Sequence, residues 1–242
     1  MTPGAGLNAL FDQYSDGYED ALNAGLSLSG ETMTYFARQR LRWLNACLSS
    51  LKHVPRVIVD YGCGIGDSAG LMQQEFGSVQ VIGLETAPAV LAHARRFHGG
   101  PGRSFHLVTE YAPSERADLA YCNGVFHHIP PDRRARVAGY VYRCLRPGGL
   151  FSFWDNNPWN PGARYVMRRI PFDRDAVMLS AREAGRLLQA AGFEILRTDH
   201  LFIFPRRLWW LRWLEPRWAS LPLGAQFHVL ARRPDGAHAR VS

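Results

Sequence analysis

Val57-Ile58-Val59-Asp60-Tyr61-Gly62-Cys63-Gly64-Ile65-Gly66 is the stretch on which the reading of this chain turns. Its first three residues are a short β-branched run, the pattern of a parallel strand covered on both faces. Three alternate glycines follow at once, and residues 68–76 then take up helical spacing. Strand, glycine turn and helix start are what a nucleotide-type cofactor requires. The turn is tight, the backbone can be approached closely, and the first helical N–H groups are free to donate. Glu85 ends the next apolar run, 19 residues after Gly66. There a carboxylate can accept hydrogen bonds from both ribose hydroxyls, or merely cap the helix beginning at Pro88.

The alternation continues outward. Residues 7–52 read as helices, with Leu7, Leu10, Phe11 and Tyr14 on one face. Tyr35, Phe36, Leu41, Leu44 and Leu48 resume the pattern after Ser29-Gly30-Glu31-Thr32, which suits a helix start. Further helices are expected at 88–97, 132–143 and 180–191, the last with Ser180 as cap, Glu183 three residues on and Gly192 after its end. Further strands are expected at 79–84, 104–108, 119–122, 149–154, 193–204 and 226–231. Alternating strands and helices imply a doubly wound, Rossmann-like α/β fold with a seven-stranded, mostly parallel sheet. The last two strands lack a helical crossover and are expected to form an antiparallel edge. One structural domain is expected: an N-terminal helical lid or extension over 1–52, a core over 53–233 with an insertion at 204–224, and a tail at 234–242.

Composition sets limits. In 242 residues, 47% hydrophobic and 20% charged content are ordinary for a globular domain. No apolar run approaches a membrane span, and no basic stretch leads into an apolar core at the amino terminus, so a cytoplasmic location is expected. Cys47, Cys63, Cys122 and Cys144 have neither zinc-ligand spacing nor a disulfide framework, and no metal is expected. The net charge of +7 is nearly all arginine, Lys52 being the only lysine. Much of it is dispersed, at Arg38, Arg40, Arg42, Arg95 and Arg96, whereas a nucleic-acid surface gathers charge on one face beside stacking aromatics. Nucleic acid is a disfavoured partner.

The run D-x-G-C-G-x-G at 60–66 resembles the first motif of class I S-adenosylmethionine-dependent methyltransferases and differs from the dehydrogenase spacing G-x-G-x-x-G. Gly83-Leu84-Glu85 looks like that family's ribose-binding strand end. Asp118-Leu119-Ala120-Tyr121-Cys122-Asn123-Gly124-Val125-Phe126-His127-His128-Ile129 looks like its fourth-strand motif, and Leu145-Arg146-Pro147-Gly148-Gly149-Leu150 like the turn before its fifth strand. The likeness, to the bacterial small-molecule or glycoconjugate type, spans about residues 57–154. It implies S-adenosyl-L-methionine as cofactor and S-adenosyl-L-homocysteine as product. It further implies that Gly62, Gly64 and the backbone near Asp60 line the methionine portion, that Glu85 holds the ribose, and that Cys63, Gly66 and Thr86 also belong to the cofactor site. Asn123 would receive the amino group through its carbonyl, with Gly124 next to it in the cofactor site. Thr109 and Glu110 stand where the adenine loop belongs, although Val108-Thr109-Glu110-Tyr111 lacks the usual aspartate–alanine pair. Tyr14 and Tyr18 resemble part of the helical lid and would face substrate, unless they are core. One of the arginines at 38 and 40 could pair with the cofactor carboxylate.

Methyl transfer from a sulfonium needs positioning and, for a hydroxyl nucleophile, removal of a proton, so no single strong signature is expected. His127 and His128 are candidate bases, with ring packing or helix capping as the alternative; His128 lies further beyond the strand end. In Trp154-Asp155-Asn156-Asn157-Pro158-Trp159-Asn160-Pro161, Asp155 could act as base, Asn156 and Asn157 could bind a polar substrate and Trp159 could stack on it; otherwise this is a turn-rich loop. Residues 204–218 hold four of the seven tryptophans among arginines. Such a segment suits peripheral membrane contact through 205–218, a lipid-linked substrate or a partner; the favoured alternative is a lid with tryptophans inward and arginines outward. The expected activity is methyl transfer to an oxygen or nitrogen of a small molecule or glycoconjugate. A cofactor-binding protein with other chemistry remains the competitor, and a nucleotide-dependent oxidoreductase is disfavoured by the glycine spacing.

Overall fold

The computed structural model describes residues 30–170 and 176–235. Tyr14 and Tyr18 lie outside the described residues. Among the described residues, seven strands form one sheet: β1 (Val57–Tyr61), β2 (Gln80–Glu85), β3 (Arg103–Leu107), β4 (Ala117–Asn123), β5 (Leu145–Asn156), β6 (Glu194–Leu201) and β7 (Gln226–Arg232). Their order is β3-β2-β1-β4-β5-β7-β6. β3, β2, β1, β4 and β5 pair in parallel, whereas β7 runs antiparallel to both β5 and β6. The reversed strand therefore sits just inside the edge and β6 forms it. With no crossover helix between β6 and β7, the chain must turn back on itself, which antiparallel pairing allows.

The helices are α1 (Met33–Ser50), α2 (Asp67–Phe76), α3 (Pro88–His98), α4 (Pro131–Cys144), α5 (Pro161–Arg169), α6 (Ala181–Ala190) and the short α7 (Glu215–Trp218). Local chemistry sets their starts. Thr32 caps α1 by accepting from Tyr35 N, and Ser180 with Glu183 forms a full capping box on α6. Alternate strand residues face opposite sides of the sheet. Ile58, Leu119 and Leu150 pack in one core with Leu41, Leu44 and Met72 of α1 and α2. Val59, Ala120 and Phe151 pack in the other with Val141 of α4 and Leu188 of α6. Burying each such large side chain stabilises the fold by ~2 kcal/mol.

Two local expectations are corrected. The turn-rich reading of the segment after β5 misses α5, whose start is specified by Asn160 accepting from Ala163 N and by Pro161 in the first turn. The lid expected at 204–218, with indoles in and guanidinium groups out, is inverted. Residues 206–214 form a 3₁₀ helix from which Trp209, Trp210 and Trp213 face solvent. Arg212 instead turns inward, donating to Glu31 Oε1 at 2.9 Å, Tyr35 OH at 2.7 Å and Phe204 O at 3.1 Å. Phe202, Ile203 and Phe204, rather than the indoles, line the cavity wall here. Among the described residues, no helix is long and apolar enough to cross a membrane.

Candidate active site

A cavity of about 490 Å³ opens beyond the carboxyl ends of β1, β4 and β5, where ligands of open α/β sheets bind. One pole is polar, made by Asp60, the turn Gly62–Gly64, Asn123 and Arg40. The other is apolar, made by Met33, Phe36, Met167, Ile170, Phe202 and Phe204.

The glycine turn is shaped by backbone need. Gly62 and Gly64 have φ of +73° and +54°, a region other residues enter at a cost. A Cβ on Gly62 would lie 2.3 Å from Val125 Cγ2, whereas one on Gly64 would meet nothing within 4 Å and would project into open space. Glu85 supports this turn. Its Oε2 accepts from Gly64 N at 3.0 Å, while Oε1 accepts from Thr86 N at 2.6 Å and Ala87 N at 3.2 Å. The carboxylate thus braces both the glycine turn and the turn that leads into α3. Glu85, Thr86 and Gly66 lie behind or beside the cavity and do not line it. Thr109 and Glu110 are exposed, with Glu110 3.9 Å from Arg95.

At the polar pole, burial pushes the Asp60 carboxyl up to about 8, the charges of Asp67 and Glu85 add to the rise, and Arg40 opposes it. Arg40, itself buried, donates from Nε to Tyr121 OH at 3.2 Å and from Nη1 to Gln226 Oε1 at 3.0 Å. Burial likewise raises the Tyr121 hydroxyl to about 12. Asn123 Oδ1 is buried with no hydrogen-bond donor among the described residues. A buried carboxyl short of counter-charge and a carbonyl oxygen short of a donor suit a cationic, N–H-bearing group, and Arg40 suits a carboxylate beside it. The residues present therefore fit the amino-acid end of S-adenosylmethionine.

Residues 126–128 make one 3₁₀ turn after β4. Arg134 of α4 holds it, donating from Nε to Phe126 O and Ile129 O at 3.0 Å each and from Nη2 to Val177 O. This brings His127 Nδ1 to 2.5 Å from Asp155 Oδ1, with both side chains buried. Asp155 Oδ1 also accepts from Asn156 N at 2.7 Å. The His128 ring lies 4.1 Å from that of His127, and both line the cavity.

Residues 58–149 match the model of a family described as a methyltransferase domain. A trans-aconitate 2-methyltransferase of Acidovorax ebreus is 27% identical over 195 residues, covering 74% of this chain and 75% of that protein. One of Methylobacterium nodulans is 29% identical over 200 residues, covering 74% and 76%. The chain is an S-adenosylmethionine-dependent methyltransferase with a class I fold. Solved structures share the methyltransferase's fold. The 1,6-didemethyltoxoflavin-N1-methyltransferase of Burkholderia thailandensis, with bound 1,6-didemethyltoxoflavin and S-adenosylhomocysteine, matches with a TM-score of 0.62 at 20% identity, over 97% of this chain and 92% of that one. An S-adenosylmethionine-dependent methyltransferase from Mesorhizobium loti gives 0.55 at 24% identity, over 75% and 93%. The methyltransferase's cofactor is S-adenosylmethionine.

The cavity gathers Asp60, Gly62, Cys63, Gly64, Asn123, Gly124, His127, His128 and Asn156 of the sequence-expected site. It does not gather all of them. Asn157 is buried as a loop clamp, its Nδ2 donating to Pro222 O at 3.1 Å and Gly224 O at 2.8 Å and its Oδ1 accepting from Trp159 N. That clamp turns the Trp159 indole out to solvent, away from any substrate in the cavity. Asp155 is buried and does not line the cavity; it is bonded to His127. Gln226 and the α5 wall had no sequence signal beyond the Asn160-Pro161 helix start, because only pairing of β7 beside β5 brings them in.

Away from the cavity, Cys47, Asp199 and His228 offer ligand atoms within 4.8 Å of one another. Arg197 is bonded there to both Asp199 oxygens at 2.7 Å, and Trp43 Nε1 donates to Oδ2 at 3.0 Å. Burial also raises the Cys47 thiol to about 11. A cationic guanidinium in place and a protonated thiol do not suit a metal ion. This cluster ties α1 to β6 and β7.

Proposed function

We propose that the enzyme methylates the hydroxyl of a small, largely apolar aromatic molecule, with His127 taking the hydroxyl proton and Asp155 holding the ring. The observation that carries this is the 2.5 Å bond between His127 Nδ1 and Asp155 Oδ1 at the cavity wall. A carboxylate only accepts, so Nδ1–H donates, and that tautomer makes the Nε2 lone pair the accepting site for a substrate proton. Buried Asp155 also favours the imidazolium formed when the proton arrives. When bound, the cofactor supplies a methyl group activated by the sulfonium. Asp60, Asn123 and Arg40 would hold its amino-acid end, and the glycine turn would leave room for it.

The acceptor class follows from the wall. Phe36, Phe202, Phe204, Met33 and Met167 offer an apolar, partly aromatic bed. The curated relatives are named for trans-aconitate, a polycarboxylate that would need surplus cations. In this cavity Arg212 is already paired with Glu31 at 2.9 Å and Arg40 faces buried Asp60, so the described wall supplies no such surplus.

Production of S-adenosylhomocysteine from substituted phenols and naphthols, with trans-aconitate in a parallel arm, tests this. Phenolic acceptors are expected to be turned over and trans-aconitate is not; the reverse would refute the acceptor class. With an accepted phenol, His127→Asn should lower kcat by about 10²- to 10⁴-fold, Asp155→Asn should lower it less and shift the pH profile, and His128→Asn should change it little. Undiminished turnover by His127→Asn would remove the base assignment.

A further inference from the structure

Two segments flank the cavity mouth. One, 157–169, follows β5; the other, 202–223, follows β6. They are stitched together: Asn160 Nδ2 donates to Leu223 O at 2.8 Å, and Asn157 Nδ2 to Pro222 O at 3.1 Å. Phe204, Arg212, Asn160 and Gly162 from the two segments also line the cavity. Their outer surface combines features that soluble domains rarely place together. Trp159, Trp209, Trp210 and Trp213 are 75%, 69%, 57% and 68% exposed, and Trp218, Leu208, Leu221 and Leu223 are exposed beside them. Arg164, Arg168, Arg169, Arg206, Arg207 and Arg217 are exposed on the same segments. Glu215 is the one acid in either stretch, and it turns inward to accept from Phe202 N at 3.3 Å and Phe204 N at 3.0 Å. Among the described residues of the two segments, the outer face thus carries arginine and indole and no exposed acid.

We propose that this face docks the enzyme on an anionic lipid bilayer, with the cavity mouth at the interface. Indole rings, apolar in body and polar at the N–H, settle at the level of the headgroups. Arginine pairs with lipid phosphates, and six such charges, with no exposed acid among the described residues of the two segments, match the negative surface potential of an anionic leaflet. The exposed leucines favour acyl chains over a nucleic acid, since an aliphatic side chain gains little against phosphate or a base edge. Packing Arg212 inward, against Glu31 and Tyr35, is what sends the neighbouring tryptophans outward on the 3₁₀ helix. This goes beyond the acceptor reading, and it would let an apolar acceptor enter from the lipid phase.

The test is sedimentation of the full chain with vesicles of mixed phosphatidylglycerol and phosphatidylcholine, and with vesicles of phosphatidylcholine alone. Binding to the anionic vesicles is expected, with little to the neutral ones. The variant Trp209→Ser/Trp210→Ser/Trp213→Ser should lower the partition by about tenfold or more, and Arg206→Gln/Arg207→Gln/Arg217→Gln should remove the preference for anionic lipid. Calorimetry with S-adenosylhomocysteine serves as the control for folding and keeps failure here distinct from failure of the methyltransferase site. Absence of binding to anionic vesicles, or binding unchanged in both variants, overturns the proposal. So does tighter binding to single-stranded RNA than to vesicles, or a tryptophan variant that merely turns a dimer into a monomer.

Discussion

Asp60 is held out of its ordinary ionisation range by burial, and replacing it with asparagine should separate stability from cofactor binding. The carboxyl moves from 3.8 to about 8 in the folded protein. At ~1.4 kcal/mol per unit, ionising it in the empty site costs on the order of 5 kcal/mol. The unfolded chain releases this proton near pH 4 and the folded chain near pH 8, so between those values the folded state binds more protons. Stability of the unliganded enzyme must therefore fall as pH rises through that window. Asp60→Asn abolishes the fall. Urea unfolding should find the variant more stable than the parent by several kcal/mol at about pH 8.5 and much closer to it near pH 4. Binding should move the other way. The cationic amino group of the ligand draws Asp60 into its charged form, so at pH 7 S-adenosylhomocysteine binding should release close to one proton. Isothermal calorimetry in buffers of different ionisation enthalpy measures that release. The ligand's own amine also titrates, but it does so equally with Asp60→Asn, and the difference between the two proteins isolates the carboxyl. Equal proton release by parent and variant, or parallel stability curves across the window, would refute the reasoning.

The glycine turn predicts a contrast between neighbours. Gly62→Ala forces a Cβ to 2.3 Å from Val125 Cγ2 at positive φ and should destabilise the fold by ~2 kcal/mol or more, whereas Gly64→Ala meets no atom within 4 Å and should cost ~1 kcal/mol while weakening S-adenosylhomocysteine binding at least about tenfold. Denaturant melts paired with calorimetry check both; equal destabilisation and unimpaired binding would contradict the geometry. At the α1–β6–β7 junction, burial alone would raise the Asp199 carboxyl, but the adjacent His228 and hydrogen bonds from Arg197 outweigh it and hold the group at about 2 against an ordinary 3.8. The ion therefore stabilises the fold above about pH 4 by ~2 kcal/mol and loses this as pH falls towards 2; Asp199→Asn should flatten that part of the acid-unfolding curve.

Much of the core was legible because its signals are local. A β-branched run buried on both faces, a turn that demands positive φ, and an acid at the next strand end are short-range necessities, and β1, its glycine turn and Glu85 appear where they specify. Ser180 and Glu183 likewise announce α6 through bonds that span three residues. His127 and Asp155 were each legible as titratable groups beyond a strand end, but their pairing was not. They are 28 residues apart, and only the parallel register of β4 with β5 lays one against the other.

Other features depended on packing across the whole chain. The α5 helix carried an Asn160-Pro161 start signal, yet whether Trp159 faced the cavity or the solvent was settled by Asn157 clamping the 222–224 loop. At 206–214, arginine and tryptophan patterning was equally compatible with indoles inside or outside. Glu31, 181 residues away, captures Arg212 and decides the matter, because a half-buried guanidinium gains from a carboxylate while an indole tolerates water. Residue type and short spacing thus sufficed for the strand, the glycine turn and the helix caps. The buried charge partners and the direction each loop faces came from strand order and register, since distant groups acquire their energies only once the fold brings them together.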